Sequence, residues 1–127
     1  MREYRGKRKA NGEWVHGWYH ELDHPDHRGK AYIIPKYASA LYSYEVDPET
    51  VGQYTGLKDK NGIEIYKGDV WLYHGVGYHV CWHEDEAKFY FKHPSLHAGD
   101  DDHIDLGWSS HGEIIGDIID NPELLEG

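Results

Sequence analysis

Gln53 to Val70 reads QYTGLKDKNGIEIYKGDV, an order of residue types that alternates tight turns with short strands. Asp59-Lys60-Asn61-Gly62 places Asp at the first position and Gly at the fourth of a type I turn, and Asn61 tolerates left-handed backbone. Ile63 and Ile65 alternate with Glu64, so a short strand with one apolar face is expected to leave that turn. Tyr66-Lys67-Gly68-Asp69 is a second tight turn. A structural use exists for every residue of the stretch, and no active site is assigned to it.

The same punctuation continues downstream. Val70–Tyr73 and Tyr78–Trp82 flank His74-Gly75-Val76-Gly77, a hairpin with a Gly-rich loop. Glu84-Asp85-Glu86 is a polar turn, and Ala87–Lys92 is the following strand. The resulting meander can curl into a small barrel, since closure protects strand edges. Ile104 and Leu106 alternate with polar residues. Glu113–Ile119 (EIIGDII) predicts a strand bulged at Gly116, because its β-branched residues disfavour helix. Asn121-Pro122 starts a capped final helical turn.

Upstream, residues 2–9 (REYRGKRK) predict a polar edge strand. Asn11-Gly12 is a strong hairpin turn signal. Glu13–Leu22 returns as a strand with a bulge at Gly17. Ala31–Pro35 and Leu41–Val46 are further strands. Asp47-Pro48-Glu49 is a turn or a one-turn helix with Asp47 as cap, and Thr50–Thr55 is extended. The fold class is therefore mostly β. Short antiparallel strands form a small, partly open barrel, SH3-like or related, with an N-terminal β-hairpin lobe and a short C-terminal helical turn. Residues 1–127 read as one domain, with 1–55 and 56–127 as candidate sub-lobes.

Composition fits this reading. The chain has 127 residues with only two Phe against eleven Tyr and five Trp, and those rings fill a core while favouring pleated sheet. The single Cys81 excludes an intramolecular disulfide, which fits a reducing compartment. The N-terminal stretch lacks the apolar segment of a signal peptide, and no apolar run approaches the ~18 residues of a membrane span. The expected location is the cytoplasm. The net charge of −10 is uneven: residues 1–36 hold eight Lys/Arg against five Asp/Glu, and residues 37–127 hold five against eighteen. Such a split can steer self-association or docking onto a basic partner. Nucleic-acid-binding domains usually have a pI above ~9; here it is ≈ 5.4, which disfavours that class.

Several stretches together resemble one family. QYTGLKDKNGIEIYKGDV resembles the shared core of YopX proteins, small proteins common in phages and prophages. REYRGKRKANGEWVHG resembles their N-terminal strand-turn-strand, Val46–Val51 the lead-in, and EIIGDIIDNPELL the closing motif. Residues 74–111 diverge most. The resemblance implies phage or prophage origin, a host bacterial cytoplasm and an oligomeric β-barrel-containing protein. It implies no reaction and no catalytic residues.

Candidate chemistry outside that frame is sparse. His20, His24 and His27 offer three imidazoles that a folded-back loop could present to Zn²⁺, but no HExxH or cysteine pair fixes the geometry; solvated loop histidines explain them as well. His97, Asp100–Asp102, His103 and Asp105 read as a solvated acidic loop without EF-hand spacing. Cys81 shares a strand face with His79 and His83, although a small buried hydrophobe is its ordinary role. Arg2, Arg5, Lys7, Arg8 and Lys9 could contact phosphates beside Tyr4, Trp14, Trp18, Tyr19, Tyr54 and Tyr66; the same rings also suit a core short of Leu and Phe. No Gly-rich phosphate loop is present. The reading is a non-enzymatic accessory protein that needs no cofactor and acts by binding a host protein or itself. The alternatives are a single-stranded nucleic-acid-binding module using Arg2, Arg5, Lys7, Arg8, Lys9 and Trp18, and a metal-dependent hydrolase using the histidine-rich loops.

Overall fold

The computed structural model describes residues 3–21, 29–36, 43–94 and 103–125. The chain divides into two compact units, Met1–Tyr54 and Thr55–Gly127. It is mostly β, built from short antiparallel strands, with an N-terminal hairpin and a short helical turn at its C-terminal end, as its residue pattern predicts.

In the first unit, β1 (Glu3–Lys7), β2 (Trp14–Glu21), β3 (Ala31–Pro35), β4 (Tyr44–Val46) and the start of β5 (Gly52–Lys58) lie in the order β4-β3-β2-β1-β5. Gly12, at φ 72°, closes the first hairpin, with the Arg8 N–H donating to the Glu13 carbonyl at 2.9 Å. β1 is not the expected edge strand: it pairs with β2 along its whole length and with β5 at Tyr4 and Arg5. Its charged residues suggest an exposed edge, but they occupy one face of an interior strand. No bulge forms at Gly17 either, for the β1 ladder runs unbroken through it and the β3 ladder starts at it in register. Its glycine has another cause. A Cβ there would stand 1.9 Å from the Ile34 carbonyl oxygen, so only glycine lets β2 and β3 approach this closely.

Alternation sorts this sheet into two faces. One carries the core: Val15, Ala31, Ile33 and Val46 are buried, with Tyr4, Tyr19, Tyr44 and Val51 against them. Burying each large aliphatic side chain contributes roughly 1.5–3 kcal/mol. Asp47 caps a 3₁₀ turn over Pro48–Thr50, as expected, by accepting the Glu49 N–H at 3.1 Å. The Lys7 N–H donates to the Thr50 hydroxyl at 2.8 Å, which ties that turn to β1.

The second unit contains the rest of β5, then β6 (Glu64–Tyr66), β7 (Asp69–Tyr73), β8 (Val76–His83), β9 (Lys88–Lys92), β10 (Ile104–Asp105) and β11 (Glu113–Asp117). The meander β7-β8-β9 forms as predicted, within a sheet of order β10-β9-β8-β7-β11. The loop between β7 and β8 is shorter than the four residues read from sequence. His74 (φ 49°) and Gly75 (φ 78°) alone make the turn, because paired left-handed residues match the twist of the flanking strands. Ile65, Trp71, Val80 and Phe91 form the buried core, with Trp71 stacked on Phe91 at a centroid distance of 3.9 Å and its indole N–H donating to the Ser109 carbonyl at 3.1 Å. The β11 register shifts between Ile114 and Gly116, so the expected bulge is present. A 3₁₀ turn over Pro122–Leu125 ends the described chain.

Asp59 explains the stretch that opened the sequence. Its side chain is buried, and its carboxylate accepts three backbone N–H groups: Asn61 at 2.8 Å and Ile63 at 2.9 Å on Oδ1, and Ile114 at 2.8 Å on Oδ2. Lys60 N–H donates to the Gly112 carbonyl at 3.0 Å. One turn is thus closed and fastened to β11 together. Two further buried acids bind backbone in the same way: Asp69 accepts the Tyr66 N–H, and Asp117 accepts those of Ile119 and Asp120. Ile63 does not share the buried face of Ile65. It remains in the Asp59 turn, through its own N–H and carbonyl, and is 52% exposed.

Candidate functional site

The face of the first sheet opposite its core is built by period-2 alternation in WVHGWYHE. Trp14, His16, Trp18 and His20 follow one another along β2 on this side, while Val15, Gly17 and Tyr19 turn inward. Across the ladder, Lys7 pairs with Trp14 and Arg5 with His16. The Arg5 guanidinium lies 4.7 Å and the Lys7 ammonium 5.4 Å from the Trp14 ring centroid, within cation–π range. On the other flank Tyr32 pairs with His20 and stacks on it at 5.6 Å. Lys36, just after β3, forms an ion pair with Glu3 of β1, the cross-strand partner of Trp18, so this pair spans β2 beside His16 and Trp18. His16 is exposed, and Trp14, Trp18 and His20 are half-buried.

The structure separates the residues that the sequence grouped. Of the basic run, Arg5 and Lys7 lie on this face. Arg8 instead covers the Tyr44 ring at 4.0 Å, Lys9 pairs with Glu45 at 3.0 Å, and Arg2 is outside the described residues. Of the rings, Trp14 and Trp18 face outward. Tyr4 and Tyr19 pack on the first core, and Tyr66 is buried in the second unit. Burial, then the hydroxyl's 2.5 Å hydrogen bond to Glu21, pushes the Tyr19 phenol up to about 12. Sequence reasoning missed His16 and Tyr32 as members of this face, although the alternation in β2 and β3 carries the signal that reveals them.

The histidine-loop candidate is represented by His20 alone, whose Nε2 lies 3.0 Å from the Ser43 hydroxyl; His24 and His27 are outside the described residues. Among the described residues, no three His, Cys, Asp or Glu side chains converge as a metal site would require. His97 and Asp100–Asp102 also fall outside them.

The second unit brings His79, Cys81 and His83 to one face of β8, opposite Lys92, Tyr90 and Lys88 of β9. The Cys81 sulfur is 3.5 Å from Nδ1 and 3.4 Å from Nε2 of His79. A sulfur equally far from both nitrogens sits over the ring and off either lone-pair axis, a poor geometry for proton transfer. Burial pushes the thiol up, with Lys92 and Lys67 opposing it, and pushes the imidazole down, helped by Lys92 and His103. Both groups are thereby held neutral, whereas a nucleophilic pair needs a stabilised thiolate. Beside them a cleft of about 340 Å³ is lined by residues that include His83, Lys88, Tyr90, His103 and Asp105. Lys88 is engaged by Glu86 at 2.9 Å and approaches Asp105 at 4.0 Å.

These features define a class: a small antiparallel β protein whose buried acids fasten turns. The chain belongs to the YopX family, whose model, described as YopX protein, matches residues 3–126. It is similar to protein EF1440 from Enterococcus faecalis, whose crystal structure aligns at a TM-score of 0.57 and 21% identity over 98% of each chain. At that identity the likeness concerns the fold alone. No curated protein matches. No helix among the described residues is long and apolar enough to cross a membrane.

Proposed function

We propose that this chain is a non-enzymatic accessory protein of phage or prophage origin, working in the host cytoplasm by binding protein, and first of all by binding a second copy of itself. The observation that carries this reading is a group of exposed apolar residues about the Asp59 turn. Ile63 and Ile114 donate to the two oxygens of one carboxylate, which brings the exposed Ile63 close to Ile115, 37% exposed on β11. Leu57, 39% exposed, is two residues before Asp59. Where exposed apolar side chains join into one surface, they mark protein contacts. Lys58, Lys60, Glu64 and Glu113 lie beside these residues in sequence, providing both signs of charge. A two-fold interface needs such self-complementarity, because each patch meets its own copy. The neutral Cys81–His79 pair supports the non-enzymatic part of the reading.

Light scattering across concentration tests the proposal. The expected result is a dimer or larger species that the double substitution Ile63→Asp and Ile115→Asp converts to monomer. A parent protein that stays monomeric from micromolar to millimolar concentration overturns it.

A further inference from the structure

We propose that the outer face of the first unit is a platform for single-stranded nucleic acid, with the β2 rings stacking bases and Arg5 and Lys7 holding phosphates. Trp14, His16, Trp18 and His20 are successive same-face residues of one strand. Same-face neighbours are about 6.8 Å apart, so the row extends for roughly 20 Å. Nucleotides in one strand of a duplex advance only about 3.4 Å each. A row at twice that spacing suits bases pulled apart from one another, with Trp18 as the main stacking ring, since Arg5 and Lys7 already cover Trp14 and Tyr32 stacks on His20. Duplex bases are already stacked and paired, leaving no face for these rings.

Two cations flank the row where a backbone would run, and Glu3, the acid on the same face of β1, is ion-paired with Lys36. Arg5 and Lys7 are on β1, beside the ring row and across the ladder from His16 and Trp14. Both also lie over the Trp14 ring, which keeps their charge at the platform surface. Rings flanked by cations are the arrangement that binds single strands with little sequence preference.

The acidic pI does not weigh against this face. Residues 1–54 hold eight Lys/Arg and eight Asp/Glu, whereas residues 55–127 hold five against fifteen, so the entire formal charge of −10 belongs to the second unit. The assignment is independent of self-association, which rests on the second unit.

The test is fluorescence anisotropy with a fluorescein-labelled 12-nucleotide oligo-dT, beginning at low salt, where phosphate attraction is strongest. Saturable binding is expected, with much weaker binding of a duplex of equal length. Trp18→Ala should weaken binding about tenfold, as removal of one stacked base partner does, and Trp18→Tyr should restore most of it. Arg5→Gln with Lys7→Gln should flatten the salt dependence by roughly 0.7 in log–log slope for each phosphate no longer neutralised. Ile63→Asp with Ile115→Asp should leave binding intact. Circular dichroism of each variant confirms its fold. No binding at low salt, equal binding of duplex, or a well-folded Trp18→Ala variant that binds as tightly as its parent overturns the proposal. So does an acidic peptide that competes as effectively as oligo-dT, which would make the face a protein-docking site.

Discussion

The two units solve the same packing problem with opposite surfaces. The first is balanced in charge and places its core on one sheet face, leaving rings and cations on the other. The second carries all of the net charge, yet among the described residues it also holds every exposed large hydrophobic side chain, from Leu57 to Ile119. Its buried acids bind backbone N–H groups. Acidic composition therefore has two meanings within one chain: solvated charge outside, and fasteners for turns inside. Averaging over 127 residues conceals both, and with them the local character of the first sheet.

Substitutions directed at one unit should leave the other unmoved, and amide hydrogen exchange reads each separately. The largest effect is expected from Asp59→Ala. Removing the carboxylate strands the N–H groups of Asn61, Ile63 and Ile114, at about 1–3 kcal/mol for each group left buried. A loss of roughly 3 kcal/mol or more should appear in the protection of β7 and β11, with β1–β3 unchanged. Equal loss in both units would show that they unfold together.

Gly17→Ala is the counterpart in the first unit. Its Cβ meets the Ile34 carbonyl at 1.9 Å, a backbone clash that only strand separation relieves. Overpacking of this sort costs about 1–3 kcal/mol, and it should be confined to β2 and β3. Ile115→Asp should alter the stability of the monomer by less than about 0.5 kcal/mol, since exposed positions away from special features usually contribute little, and Ile63→Asp, which adds a carboxylate to the Asp59 turn, should cost more than Ile115→Asp. A large drop in monomer stability would mean that those isoleucines support the fold itself.

The smallest effect concerns acid. Burial holds the pKa of His79 below its ordinary value of 6.5. As pH falls from 6.5 toward the folded value, the unfolded chain takes up the proton first, so the second unit loses stability in that interval and is unaffected by this group above it. Urea unfolding at about pH 7.5 and about pH 5.5, on either side of the ordinary imidazole value, should show the decline, and His79→Gln should make it shallower. An unchanged decline in the variant would assign it to other groups.

Much of this was legible in the order of residues. Turn residues located the hairpins β1–β2 and β7–β8, and Asp47-Pro48 supplied both a cap and a first helical residue. What escaped depended on neighbours distant in sequence. Gly17 reads as a bulge because its real constraint is the Ile34 carbonyl on another strand. Ile63 reads as buried because alternation counts positions, whereas the Asp59 hydrogen bonds hold it in the turn. The ring row was only half visible: its tryptophans stand out, but a bulge read at Gly17 would reset the alternation that puts His16 and His20 on their face.

The Asp59 carboxylate also sets an order of events during synthesis. Its bonds to Asn61 and Ile63 span two and four residues, while the bond to Ile114 spans 55. The turn can therefore close as soon as it leaves the ribosome, and the meander after it needs only hairpin contacts. β11 cannot dock until nearly the whole chain has emerged, and closing that long loop carries the greater entropy cost. The second unit should consequently fold from its middle outward. Kinetic φ-values are expected to be high at Val80 and near zero at Ile114, with the oxygen of Asp59 that serves β11 left to water until the last step.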